Sequence, residues 1–313
     1  MKHLLLTSMA VLITLSVYAQ DADRALMRVR YNYIHIKDTT QKKKPHQENM
    51  LLVTGRNASV YTSYDKLNRT IKNNNRLMEQ FQPGSTNPKT GINTEARSPV
   101  TASDFFFFFS AHKMFVKERL VNNYVLEEPL EKIDWKIHTD TLTISGIQCQ
   151  KATAHFKGRN WIAWFSKEMP FQSGPWKLNG LPGLIVEAYD EKKEVIFEFD
   201  GITPSKDQQS AKDLNENQQT IQSMGSARVS VETGMEYLGS EIKLPADGIR
   251  TSRQELDKLT AARDSDPNGF INAQMASKGI KGTFNGSGNS SLLKTVDSQK
   301  KEINNPIELP ERK

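Results

Sequence analysis

A single cysteine in 313 residues, Cys149, leaves no disulfide framework to build and no zinc site made of several thiolates. Long apolar runs are equally scarce: only Leu4 to Ala19 is one, and a mean hydropathy of −0.59 leaves no other segment able to span a bilayer. The chain has no GxxxxGK[ST] phosphate loop, no HExxH helix and no GxSxG elbow. P-loop phosphoryl transfer, zincin proteolysis and α/β-hydrolase chemistry therefore lack their usual signatures. No pair of histidines shows metal-ligand spacing, and the residue pattern implies no cofactor.

A hydrophobic fraction of 37% is enough for an ordinary core and argues against disorder of the whole chain. The formal net charge is +6, which raises the question of a nucleic-acid partner. Its clusters, Lys42-Lys43-Lys44, Lys66 to Arg76 and Lys300-Lys301, carry no interleaved aromatics on which bases could stack. They read as solvated surface, and no nucleic acid is expected as a partner.

Lys2 and His3 precede the apolar stretch Leu4 to Val17, and Val17-Tyr18-Ala19 offers small residues on either side of a larger one. This pattern predicts a signal peptide over residues 1–19, cut after Ala19. No cysteine follows to accept a lipid, so the mature chain is expected to begin at Gln20, without a membrane span, in the periplasm or outside the cell.

Residues 20–280 read as one β-rich domain, with flexible loops near 81–104 and 205–226, followed by a flexible tail over 281–313. Met27, Val29, Tyr31 and Tyr33 alternate with Arg28, Arg30 and Asn32, the period of a half-buried strand. Further strand-like pieces lie at Met50 to Val53, Ser59 to Tyr64 and, in quick succession, from Tyr124 to Phe199, with another at Ala227 to Val231. Connections this short leave no room for crossover helices. The expected fold is mainly β and antiparallel, a strongly curved sheet or open barrel with one or two peripheral helices. One helix is predicted from Ser252, which with Glu255 forms a capping box, and a basic one over 65–80.

All four tryptophans, Trp135, Trp161, Trp164 and Trp176, fall in the dense middle. The segments Phe156-Lys-Gly-Arg159, Trp161-Ile-Ala-Trp164 and Gly174-Pro-Trp-Lys-Leu-Asn-Gly-Leu-Pro-Gly-Leu-Ile185, with Glu187 and Asp190, resemble the GLPGLI family. The hexapeptide of that name is here Gly180, Leu181, Pro182, Gly183, Leu184 and Ile185. The resemblance implies an exported protein of the Bacteroidota phylum and no defined enzyme activity.

Gly174-Pro175 and Pro182-Gly183 are turn dipeptides, and Leu184-Ile185-Val186 then enters the sheet, so the motif reads first as a rigid corner. Trp161, Trp164, Phe171 and Trp176, with Glu187, surround that corner and define a candidate pocket for an apolar or peptide-like ligand or an envelope protein partner. The favoured function is binding without catalysis. The rivals are a hydrolase using Glu187 or Asp190, and a purely structural interaction domain. Glu187 is placed on the face of Ile185 and Tyr189, with Arg159 as its partner if that face is inward. Cys149 and His155, six residues apart on one strand, are about 20 Å apart and no catalytic pair. Asp264 to Gly269 copies half a calcium loop, but Met275 stands where the bidentate acid belongs, so a helix-terminating turn is expected.

Overall fold

A computed structural model describes residues 22–80, 99–205, 237–277 and 303–311. The signal segment, most of the loop near 81–104, nearly all of the connector near 205–226 and the strand expected at Ala227 to Val231 lie outside the described residues.

Twelve strands form one sheet. Its first half contains β2 (Met27–His35), β3 (His46–Thr54), β4 (Ala58–Ser63), β5 (Asp104–Phe108), β6 (Lys113–Arg119) and β7 (Asn123–Pro129). The second half contains β8 (Lys136–Ile144), β9 (Ile147–Phe156), β10 (Arg159–Ser166), β11 (Leu184–Asp190) and β12 (Val195–Pro204). The halves join where β12 pairs with β2; with β14 (Ile249–Thr251) at one end the order is β14-β7-β6-β5-β4-β3-β2-β12-β11-β10-β9-β8, while β1 (Asp23–Arg24) and β13 (Glu241–Ile242) pair in a small sheet of their own. The ends of this order, β14 and β8, do not pair, so the sheet folds over on itself like a β-sandwich rather than closing into a barrel. The chain is mainly β, as its periodicity predicts. Two details differ: β14 runs parallel to β7, making the sheet mixed, and three α-helices are described instead of one or two.

Two-residue turns set the register of the second half. Ser145-Gly146 and Lys157-Gly158 all have positive φ, the type I′ arrangement whose twist matches that of paired strands. The core lies between the two halves, where Val29, Tyr31, Met50, Leu52, Phe105, Phe107, Trp161, Phe165 and Phe197 meet. The first half is also buried on its outer side, where Leu51, Val53, Phe106 and Phe108 pack with Leu67 of α1 (Tyr64–Gln80). This explains the run of five phenylalanines from Phe105 to Phe109: Phe105, Phe107 and Phe109 face one layer, Phe106 and Phe108 the other.

Beneath α1, Asp104 is wholly buried yet ionised. Burial works against its charge, but Lys66 and Lys117 outweigh that and hold the carboxyl below the usual range. Tyr237 donates to Asp104 Oδ2 at 2.7 Å and accepts from Lys117 at 2.7 Å.

Ser252 caps α2 (Arg253–Ser265) by accepting from the Glu255 N–H, as the capping box predicts, and Leu256 packs on Tyr124 and Leu126. Asp266 ends α2, and its Oδ1 accepts from Gly269 N–H at the start of α3 (Pro267–Ser277). Pro267 is the first residue of α3, where a missing N–H costs nothing. The half calcium loop is therefore a junction between two helices. Among the described residues no cluster of three or more His, Cys, Asp or Glu could hold a metal.

The expected flexible tail needs correction at its far end. Residues 303–311 lie docked on the sandwich with Asn305 only 4% exposed, because buried side chains of β2 and β10 bind the backbone of this segment directly. Its composition carries no hydrophobic period that could reveal this.

Candidate functional site

The corner between β10 and β11 is a filled structure. Its loop is tied down by bonds from Leu184 N–H to Met169 O and from Ile185 N–H to Ser173 O, while the Tyr31 hydroxyl donates to Ile185 O at 2.6 Å. Gly183 is required by close approach, since a Cβ there would lie 2.1 Å from the carbonyl oxygen of Ser166. Trp176 sits at φ +53°, a strained setting for a large side chain, and is held there by packing. Its ring lies 5.6 Å from Trp161 and 5.9 Å from Phe156, and Trp161 stacks on Phe197 at 6.1 Å. Trp161 and Trp176 are buried in the main core, and Phe171 packs against it. The candidate pocket is thus occupied by the side chains expected to line it, which core packing to crystal-like density requires.

Trp164 and Glu187 are elsewhere. Trp161, Ala163 and Phe165 face the core, so Trp164 points to the outer side. A β-bulge between Trp164 and Phe165 pairs them with Glu187 and Ile185, leaving Val186 as the extra residue of β11. The bulge reverses the alternation: Ile185 stays inside while Glu187 and Tyr189 face out. This corrects the placing of Glu187 with Ile185, and also its pairing with Arg159.

The outer side of the second half has a defined pattern. Cross-strand partners Thr153, Ile162, Tyr189, Ile196 and Ile34 form one row over five strands. Beside it run Lys151, Trp164 and Glu187 on β9 to β11, with Glu198 and Asn32 on β12 and β2. Ile34, Ile162, Trp164, Tyr189 and Ile196 are half-buried and join none of the core clusters made by the described residues. The Glu187 carboxyl is raised above its usual range, first by burial and then by Glu198. Cys149 is buried on this side of β9. Burial, then the Glu187 charge, pushes its thiol up to about 11, which leaves little thiolate at neutral pH.

Arg159 faces inward at the rim of the sandwich. Its Nη1 lies 2.8 Å from Asp190 Oδ2, and both side chains are nearly inaccessible. Asp190 Oδ1 also accepts from the N–H groups of Glu194 and Val195, so this carboxylate shapes the turn into β12. Glu187 and Asp190, either of which is a candidate acid for a hydrolase, thus stand on opposite faces, Asp190 inside and Glu187 outside. Arg159 Nη1 also faces Glu194 Oε2 at 3.5 Å, and the other donors go to the terminal segment: Nε to Ile307 O at 2.8 Å, and Nη2 to Asn305 Oδ1 and Pro306 O at 2.7 Å each. An open groove of about 390 Å³ runs beside it, lined by His155, Asn160, Glu191, Leu309 and Pro310 among others.

His35 completes this end. Its Nε2 donates to Asn305 O at 2.8 Å, which leaves Nδ1 to accept from the Tyr33 hydroxyl at 2.9 Å. Burial lowers its pKa to about 4, with Lys37, Arg159 and His46 adding repulsion, so the ring is neutral at neutral pH. Sequence reasoning names Arg159 and Asp190 but misses His35 and Asn305. The two-residue spacing of Arg159, Trp161 and Ala163 along one face is the signal for the arginine; nothing local marks Asn305.

Residues 156–187 match the model of a family described as a protein of unknown function, Porph_ging. That stretch takes in the hairpin turn, Arg159, all of β10, the corner and β11 as far as Glu187. No curated protein matches the chain. Two solved structures, "Structure of PNGF-II in P21 space group" and "Structure of PNGF-II in C2 space group", are similar at 13% identity with a TM-score of 0.41 each. The similarity covers 60% of this chain but only 30% and 29% of theirs, so this chain matches less than a third of the length of either.

Proposed function

We propose that the protein is an exported, non-enzymatic envelope protein of the GLPGLI type that binds a partner protein on the outer face of β2 and β9 to β12. The observation that carries this reading is the in-register row Ile162, Tyr189, Ile196 and Ile34, uncovered by any described core cluster. A contiguous apolar patch with a polar margin is a usual mark of an interaction site. Trp164 and Glu187 keep their place in the candidate site, while Trp161, Phe171 and Trp176 serve the core.

Charge defines the partner. Glu187 and Glu198 both flank the apolar row, where the Glu198 charge acts on the Glu187 carboxyl, and such like-charge repulsion is relieved by an incoming cation. The partner presents an apolar stripe edged by lysine or arginine. An amphipathic leucine-lysine helical peptide serves as the probe, titrated against the exported protein, whose first residue should be Gln20 by mass analysis. It is expected to bind, and the Ile162→Ser/Ile196→Ser double variant should weaken binding at least tenfold with a melting temperature within a few degrees of the parent. Glu187→Gln should weaken it less and flatten its salt dependence. Absence of binding, or binding indifferent to both variants, contradicts the reading.

A further inference from the structure

We infer that the rim formed by Arg159, His35, Gly158 and Lys157 is a peptide-recognition site, and that residues 303–311 are its ligand, held by the contacts of a separable peptide rather than by those of a sheet strand. The segment forms no strand and belongs to no sheet. Yet the body addresses nearly every residue of it. Asn304 Oδ1 accepts from Thr39 N–H at 2.9 Å, and its amide donates to Asp38 at 3.0 Å. All four polar positions of Asn305 are engaged: its N–H with Lys37 O, its carbonyl with His35, its amide nitrogen with Ile36 O at 2.7 Å and its amide oxygen with Arg159. Leu309 N–H donates to Lys157 O at 3.0 Å, and Glu311 accepts from Gly158 N–H and contacts His155.

Part of the receiving side is held by contacts that do not involve the segment. Arg159 is held by Asp190 through Nη1, and its Nε and Nη2 donate to the carbonyls of Ile307 and Pro306. Gly158 has to be glycine, because a Cβ would come within 2.4 Å of Leu309 O. A buried asparagine with every group paired is a specificity element, since any other side chain leaves a buried donor or acceptor unmet. The chemistry recognised is Asn-Pro followed by Ile-Glu-Leu-Pro-Glu, on a backbone that bends at residues 304–305 and 307–308. Residues 278–302 join this segment to α3, which lies with α2 near β7, on the opposite half of the sheet. The ligand is thus supplied from far along the chain, by the same molecule.

The test uses the full chain with a protease sequence placed within 278–302 and cut after purification. The cut segment is expected to stay with the body on gel filtration and to exchange with a labelled synthetic peptide of residues 303–311. The same peptide carrying Asn305→Ala should bind at least tenfold more weakly, a comparison made without altering the body. Loss of the segment without uptake of the labelled peptide overturns the inference, and so does unfolding of the body on cutting. An uncut dimer that the free peptide converts to monomer overturns the in-chain source, placing one copy's segment in another's site.

Discussion

Trp176→Ala is expected to destabilise the protein by about 3–5 kcal/mol, the usual cost of emptying a large aromatic site in a core that relaxes only in part. In a chain of this size that corresponds to a fall in Tm on the order of 10 °C. The expectation follows from burial: Trp176 touches Phe156 and Trp161, and both belong to the cluster that joins the halves of the sandwich. Its left-handed backbone adds a second, separable effect. Trp176→Gly removes the same side chain but relieves a conformation costing roughly 1–2 kcal/mol for an L-residue, so glycine should be no worse than alanine. Trp164→Ala, on the outer face, should change stability by about 1 kcal/mol or less. Thermal melts of the three variants check this, and a small loss in Trp176→Ala would mean that the corner is not packed as described.

Arg159→Ala is expected to cost about 3–5 kcal/mol, because it strands the Asp190 carboxylate in a buried site and removes three donors from the terminal segment. Arg159→Lys should recover little. A single ammonium cannot present a planar fork to a carboxylate and to three oxygens of residues 305–307 at once. Asp190→Asn should be milder than the alanine change, since its remaining oxygen still accepts from the N–H groups of Glu194 and Val195. Urea unfolding gives the energies, and hydrogen exchange over 303–311 reads the segment. The segment should lose protection in Arg159→Ala before the sheet does.

Much of this fold is written in local patterns. The alternation of β2 and the Ser252 cap each act over a few residues, so periodicity and capping chemistry reveal them. The site is less legible because its geometry depends on single irregularities. Glu187 changes face through one bulge residue, Val186, which nothing in Leu184-Ile185-Val186 announces. Trp161 and Trp164 are both tryptophans three residues apart, yet an odd spacing on a strand sends one inward and the other outward. Asn305 meets Arg159 across nearly half the chain, and a contact of that separation leaves no trace in composition.

Trp161 and Trp176 are core, whereas Trp164 lies on the outer side, on the face proposed for a partner. Hydroxyl-radical footprinting of the native full chain, read by mass spectrometry at each tryptophan, tests this arrangement most directly. Trp164 should be oxidised readily, and it should become protected when the leucine-lysine peptide is bound. Trp161 and Trp176 should stay unmodified until the protein unfolds. Oxidation of Trp176 at a rate comparable to Trp164 in the native protein would contradict the account, because it would put solvent where the packed corner is described.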